Sequence, residues 1–250
     1  MELKKFQKTL LTSLNENRFS LIKHSRQMGV STVLIEFIIE NLLNENNKTI
    51  VLFTEKLSSC KELLNKIRLD NRIISLKKTK DTVSYLEFEN GNRIKIASSL
   101  DGLRGYGFEY LIIDNACFVG NLDNLLTNIL PILNAKTNSK LILASSNKKG
   151  YSYFNELFSN DNNIFIKNIL HWSIDEENLK KYEEYRLIVD SETFKVEMDL
   201  EDVSGKLNKD HLLSFRVNDD LYMALSKKLL GLDLSLSEYL RMLIKRDTDE

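Results

Sequence analysis

The sequence predicts an α/β fold: a mainly parallel sheet with flanking helices and a β-hairpin, followed by a small separate module. Thr49–Thr54 (TIVLFT) and Tyr110–Asp114 (YLIID) are unbroken apolar, β-branched runs, which is what a strand buried on both faces requires. Segments of helical period lie around the first of them, at Val33–Leu43 and Leu57–Arg68, so strand and helix alternate as in a parallel sheet. Asn90-Gly91 separates Tyr85–Phe88 from Arg93–Ala97 and is the strongest short-range hairpin signal.

The remaining elements follow in order. Phe19–Lys23 is a short apolar run read as a strand, and Lys140–Ser145 (KLILAS) is another. Tyr151–Phe158 reads as a helix, and Asp175–Glu184 as a charged, exposed one. Lys77–Lys80 reads as a solvated loop, and His171-Trp172 as packing at the end of an apolar strand. Asp199–Asp210 carries no large apolar cluster and is read as a linker, so the expected domains are 1–200, a linker at 201–210 and a module at 211–250.

With 42% hydrophobic and 28% charged residues in 250, the chain is long enough for one sizeable core plus an appendage. Its net charge of −1 excludes a global basic field, so any nucleic-acid contact must be local. Cys60 and Cys117 form no CxxC pair, and buried reduced thiols of an intracellular protein are expected. No stretch is apolar enough for a signal peptide or a membrane span, and a cytoplasmic location is expected.

Chemistry concentrates between the first strand and the helix after it. Lys23-His24-Ser25-Arg26-Gln27-Met28-Gly29-Val30-Ser31-Thr32 has the context of a phosphate-binding loop, in which helix N-terminal amides cradle phosphate and a Ser31 or Thr32 hydroxyl reaches Mg2+. His24 stands where the first glycine of the strict pattern belongs and Val30 where the lysine belongs, leaving Lys23 or Arg26 to supply positive charge. A plain strand-to-helix turn capped by Ser and Thr fits the same residues. Asp114, ending a buried strand downstream, is placed to hold Mg2+, although a strand-end carboxylate capping its own turn reads the same way. Asn115, next to it, cannot take a proton from water.

These residues together resemble the large terminase subunits of tailed phages. SRQMGVST is similar to that family's phosphate loop, and Phe6-Gln7 to the aromatic-Gln element that reads adenine. Glu89-Asn90-Gly91, Arg104-Gly105-Tyr106-Gly107-Phe108, YLIIDNACFV, Ser145–Gly150 with Tyr153-Phe154, and Phe194 with Glu197 follow in the family's order. The resemblance implies a P-loop ATPase that binds ATP with Mg2+ and works with phage packaging proteins in a bacterial host. Gln7, Lys23, Arg26, Gly29, Ser31 and Thr32 would hold nucleotide, Asp114 and Asn115 would stand at the catalytic positions, and Ser146 and Asn147 would stand in the coupling motif. With Asn115 in place of the family's glutamate, hydrolysis is expected to be weak or absent. Too little sequence follows Glu197 for the family's nuclease domain, so no nuclease activity is expected.

The tail has a pattern of its own. Leu213–Val217 alternates apolar and polar, a helix follows with Leu221, Leu225 and Leu229 on one face, Gly231 ends it, and Ser235-Leu236-Ser237-Glu238 is a capping box opening a second helix. This resembles the ribbon-helix-helix DNA-binding domains. That resemblance implies a homodimer whose paired strands present Ser214, Arg216 and Asn218 to base edges of double-stranded DNA, with Ser235 holding a phosphate. A helical hairpin docked on protein is the plainer alternative. The two readings of the whole are a packaging-type nucleotide-binding protein and a terminase-derived adaptor or repressor without turnover.

Overall fold

A computed structural model of the chain describes residues 2–99, 102–103, 107–175, 177 and 179–201. The chain divides into two units, Met1–Lys206 and Leu207–Glu250. The expected ribbon-helix-helix segment, with Ser214, Arg216, Asn218 and Ser235, lies outside the described residues, as do Arg104, Gly105 and Tyr106.

The first unit is built on an eight-stranded mixed sheet in the order β3-β4-β5-β2-β6-β7-β1-β8. In chain order the strands are β1 (Phe19–His24), β2 (Thr49–Phe53), β3 (Lys78–Thr82), β4 (Tyr85–Phe88), β5 (Arg93–Ala97), β6 (Tyr110–Asp114), β7 (Lys140–Ser145) and β8 (Ile166–Leu170). From β5 to β8 every neighbouring pair is parallel, while β3, β4 and β5 form an antiparallel edge. The central strands β2 and β6 are buried almost throughout, as their two-faced apolar sequences demand.

Alternation along the strands sends side chains to two cores. Ile22, Leu52, Ile112 and Ala144 face a core built from α1 (Lys5–Glu16), α2 (Val30–Asn44), α3 (Leu57–Arg68) and α4 (Asn71–Ile74). Leu21, Val51, Ile113 and Leu143 face the other, built from α5 (Leu122–Asn134) and α6 (Tyr153–Ser159). Cys60 is buried in the first and Cys117 in the second. Lys140 lies at the start of β7 and donates from Nζ to the carbonyls of Leu14, Asn15 and Asn17, which satisfies the open end of α1. Among the described residues no helix is long and apolar enough to cross a membrane.

Two expectations need correction. Lys77–Lys80 is not simply a solvated loop, because Lys78–Thr82 pairs with β4 as an exposed edge strand. Lysines on an edge strand discourage further pairing, which is why the sequence lacks strand periodicity there. The charged helix starts later than Asp175: α7 spans Leu179–Ile188, and Asp175 itself is buried, with its Oδ2 2.7 Å from Lys4 Nζ. A partner contributed by the N-terminus covers it, and local sequence carries no trace of that. The last helix, α8 (Ser191–Glu197), buries Phe194 and Val196.

Candidate nucleotide site

β1 ends at His24 and α2 begins at Val30, with Gln27 and Gly29 both in the left-handed region at φ 63° and 71°. The two reversals tighten the loop and set Gly29 as the residue before a 15-residue helix. Thr32 and Val33 donate their N–H groups to the Gly29 carbonyl, and the amides of Val30 and Ser31 open the helix with no acceptor inside it. Open amides at the positive end of a helix dipole are the local chemistry of an anion site. Val30 turns inward and is buried, so its side chain belongs to the core rather than to the loop's outer surface.

Gly29 is required twice. Its φ disfavours any Cβ, and a Cβ there would run into Nε2 of Gln7. Gln7 is held by its own bonds: Oε1 accepts from Lys4 N at 2.9 Å, and Nε2 donates to the Met28 carbonyl at 3.2 Å. Gly29→Ala is therefore expected to cost about 1–2 kcal/mol from the left-handed backbone alone, with more from the displaced glutamine. Urea denaturation measures it, and a variant as stable as the parent would contradict the loop conformation.

Asp114 ends β6 facing α2, and Ser31 Oγ donates to its Oδ2 at 3.3 Å. The carboxylate also accepts the Asn115 amide at 2.9 Å. Burial pushes the Asp114 carboxyl well above the ordinary aspartate range, and these two hydrogen bonds only partly offset it. A buried carboxylate beside the Ser31 hydroxyl is an all-oxygen donor pair, which suits a hard cation such as Mg2+ completed by phosphate and water. Among the described residues no group of three or more His, Cys, Asp or Glu could hold a metal ion.

Beside this pair lies a cleft of about 300 Å³ at the carboxyl ends of β1, β2, β6 and β7, where open parallel sheets bind ligands. His24, Arg26, Gln27, Thr54, Asn115 and Ser146 are among its lining residues. Asn115 occupies the left-handed region at φ 59°, a conformation asparagine tolerates better than most side chains. His24 Nδ1 lies 2.9 Å from the Ser25 carbonyl, and a carbonyl can only accept, so Nδ1 carries the hydrogen and Nε2 the lone pair. Although some ring surface remains exposed, the recess solvates a charged ring poorly, and desolvation pushes the His24 pKa down to about 4 against the weaker upward pull of Ser25. The imidazole is neutral at neutral pH.

The predicted site residues separate into those the fold gathers and those it does not. Gln7, Gly29, Ser31 and Asp114 meet at the start of α2. Lys23 is not brought to the loop: alternation along β1 turns it to the opposite sheet face, where Nζ lies 5.6 Å from the Phe158 ring centroid. Of the two basic candidates, Arg26 is the one that lines the cleft, and its Nε lies 2.9 Å from Glu197 Oε2. Ser146 lines the cleft, while Asn147 is buried and donates to the Glu201 carbonyl at 2.8 Å.

A strap joins these parts. Ser25 Oγ donates to the Met198 carbonyl at 2.5 Å, and the Glu197 carbonyl accepts the Arg26 amide. Residues 197–201 thus bind the phosphate loop at one end and Asn147 at the other. The sequence reading missed His24 as a cleft residue and missed the end of β2, Thr54–Lys56, altogether. Only the order of strands in the sheet could have signalled them.

A glycine-tipped loop opening a helix, beside a strand-end carboxylate on a parallel sheet, has the local chemistry of an anion-binding α/β domain. The chain belongs to the terminase large subunit family: residues 21–201 match the family described as "Terminase large subunit, T4likevirus-type, N-terminal". Among solved structures it resembles a mutant of the Thermus phage P74-26 large terminase ATPase domain, with TM-score 0.67 and 15% identity over 81% of this chain and 95% of that one. It also resembles the large terminase of a thermophilic bacteriophage, with TM-score 0.64 and 12% identity, covering 79% of this chain and 53% of that one. The same thermophilic-phage protein in complex with ATP-gamma-S gives TM-score 0.61 at 10% identity, covering 79% of this chain and 52% of that one. This chain therefore spans about half the length of that second terminase.

Proposed function

We propose that residues 1–200 bind ATP with Mg2+ in the cleft beside α2 and hydrolyse it slowly, in the service of viral DNA packaging within the bacterial host. The observation that carries this reading is the Ser31–Asp114 contact at the N-terminus of α2, behind a glycine that only its backbone conformation and Gln7 explain. Ser31, Thr32 and Asp114 would hold the cation, whose charge offsets that of the phosphate oxygens. The open amides of Val30 and Ser31 and the side chain of Arg26 would receive the phosphates. Saturable Mg2+-dependent ATP binding by the intact protein, measured by calorimetry, is the expected result. A protein that binds no nucleotide overturns the reading.

Residues 211–250 are proposed to form the ribbon-helix-helix dimer that binds double-stranded DNA. Arg216→Ala is then expected to cost about 1–3 kcal/mol at a preferred site and to relax base preference there, since a bidentate arginine–guanine pair discriminates by that much. Binding curves on a small panel of duplexes test it, and a variant that binds every duplex like the parent would favour protein docking instead. Asn115 supports the second reading, a DNA-binding adaptor or repressor derived from a terminase and without turnover. Phosphate release with and without DNA separates the two.

A further inference from the structure

The geometry points to Glu55 as the proton acceptor for the water that attacks nucleotide in this cleft, supplying from β2 the carboxylate that β6 lacks at Asn115. The inference rests on the nucleotide reading above and adds a catalytic residue to it. β2 and β6 are parallel neighbours with Phe53 opposite Ile113. Thr54–Lys56 and Asn115 therefore leave the sheet at the same end, each just past its strand. Both Glu55 and Asn115 line the cleft.

The turn that presents Glu55 is held in place. Thr54 N donates to the Ala97 carbonyl at 3.4 Å, extending the β2–β5 ladder. Thr54 Oγ1 donates to the Lys56 carbonyl at 2.6 Å, closing the turn around Glu55. Cys60 on α3 fixes that hydroxyl from below, its Sγ at 3.3 Å. Glu55 is exposed and makes no hydrogen bond or ion pair with any described residue. A carboxylate with no partner among the described residues, at the mouth of a cleft, can accept from a water through either oxygen.

The other charged groups lining the cleft are Arg26 and Lys56, whose cationic heads are hydrogen-bond donors without an acceptor. In the step itself, a water proton passes to the Glu55 carboxylate as the water oxygen bonds to the terminal phosphorus. The bond from that phosphorus to its bridging oxygen breaks, the electron pair leaves with the diphosphate, and the proton returns to solvent after product release.

The test is made on the full chain, with Mg2+-ATP binding and phosphate release measured separately. Glu55→Gln is expected to bind ATP like the parent and to lose about 100-fold or more of its turnover, or to fall to background. Asn115→Glu added to Glu55→Gln is expected to restore turnover, because the carboxylate then returns on the neighbouring strand. A merely structural role for Glu55 makes Asn115→Glu raise turnover by the same factor whether residue 55 is Glu or Gln, whereas a base at Glu55 leaves the single Asn115→Glu variant little to gain. Glu55→Gln turning over like the parent overturns the proposal, as does a loss of turnover in His24→Gln but not in Glu55→Gln, which would move the role to the His24 lone pair. Failure of the parent to bind ATP overturns the nucleotide reading, and this proposal with it.

Discussion

Asp114→Asn is expected to raise the melting temperature of the nucleotide-free protein and to abolish most of the further rise on adding Mg2+-ATP. Burial holds the folded-state pKa of this carboxyl above its unfolded value. The folded protein therefore keeps the proton to higher pH than the unfolded chain does, and the stability present at acid pH is lost as pH rises through the folded pKa. Once ionised in the folded protein, the carboxylate is a cost that the neutral amide removes. A cation bound at Ser31, Thr32 and Asp114 reverses the balance by favouring the ionised form, so the parent gains from Mg2+-ATP what the variant cannot. A loss of roughly 10–100-fold in Mg2+-dependent affinity is expected, the size seen when metal-supporting groups are removed. Thermal melts with and without Mg2+-ATP measure both effects. A variant less stable than the parent, with an undiminished response to Mg2+-ATP, would show that Asp114 is a structural cap and no more.

His24 runs in the opposite sense. Its folded pKa of about 4 lies below the ordinary 6.5, so its contribution is complete above 6.5 and is lost as pH falls toward 4. The two buried groups at this site thus pull the pH dependence in opposite directions, and only Asp114 gains from a cation.

Much of the frame was legible because several elements have pure patterns. Thr49–Phe53, Leu57–Arg68, Tyr110–Asp114 and Lys140–Ser145 are strands or helices where their periodicity places them, and Asn90-Gly91 turns the hairpin. Leu122–Asn134 is helical with Pro131 inside it, and a proline argues locally against the helix that packing on the second core stabilises. Lys78–Thr82 is a strand by virtue of its partner, not its own pattern. At the site, Asp114 and the loop residues could be read because each follows an element along the chain. Glu55, by contrast, shares a cleft with Asn115 only because two strands distant in sequence are neighbours in the sheet, and Lys23 is misplaced by one step of strand alternation. The closure of residues 197–201 on Ser25 and Asn147 is likewise a property of tertiary contact.

Asn115→Glu placed in the Glu55→Gln background is expected to raise ATP turnover by about 10²–10⁴-fold, the usual worth of a positioned general base. The side chain at 115 already lines the cleft and follows directly on Asp114, so a carboxylate there would face a water held in the cleft. The gain has a structural cost. Residue 115 sits in the left-handed region, where asparagine is tolerated and glutamate is strained by about 1 kcal/mol. The variant should therefore be faster and slightly less stable, with ATP affinity near that of the parent because the loop amides and Arg26 are untouched. Steady-state phosphate release and urea denaturation on the same preparation read both effects. If Asn115→Glu in that background turns over no faster while still binding ATP, proton acceptance does not limit the reaction, and the cleft would be better assigned to nucleotide binding without turnover.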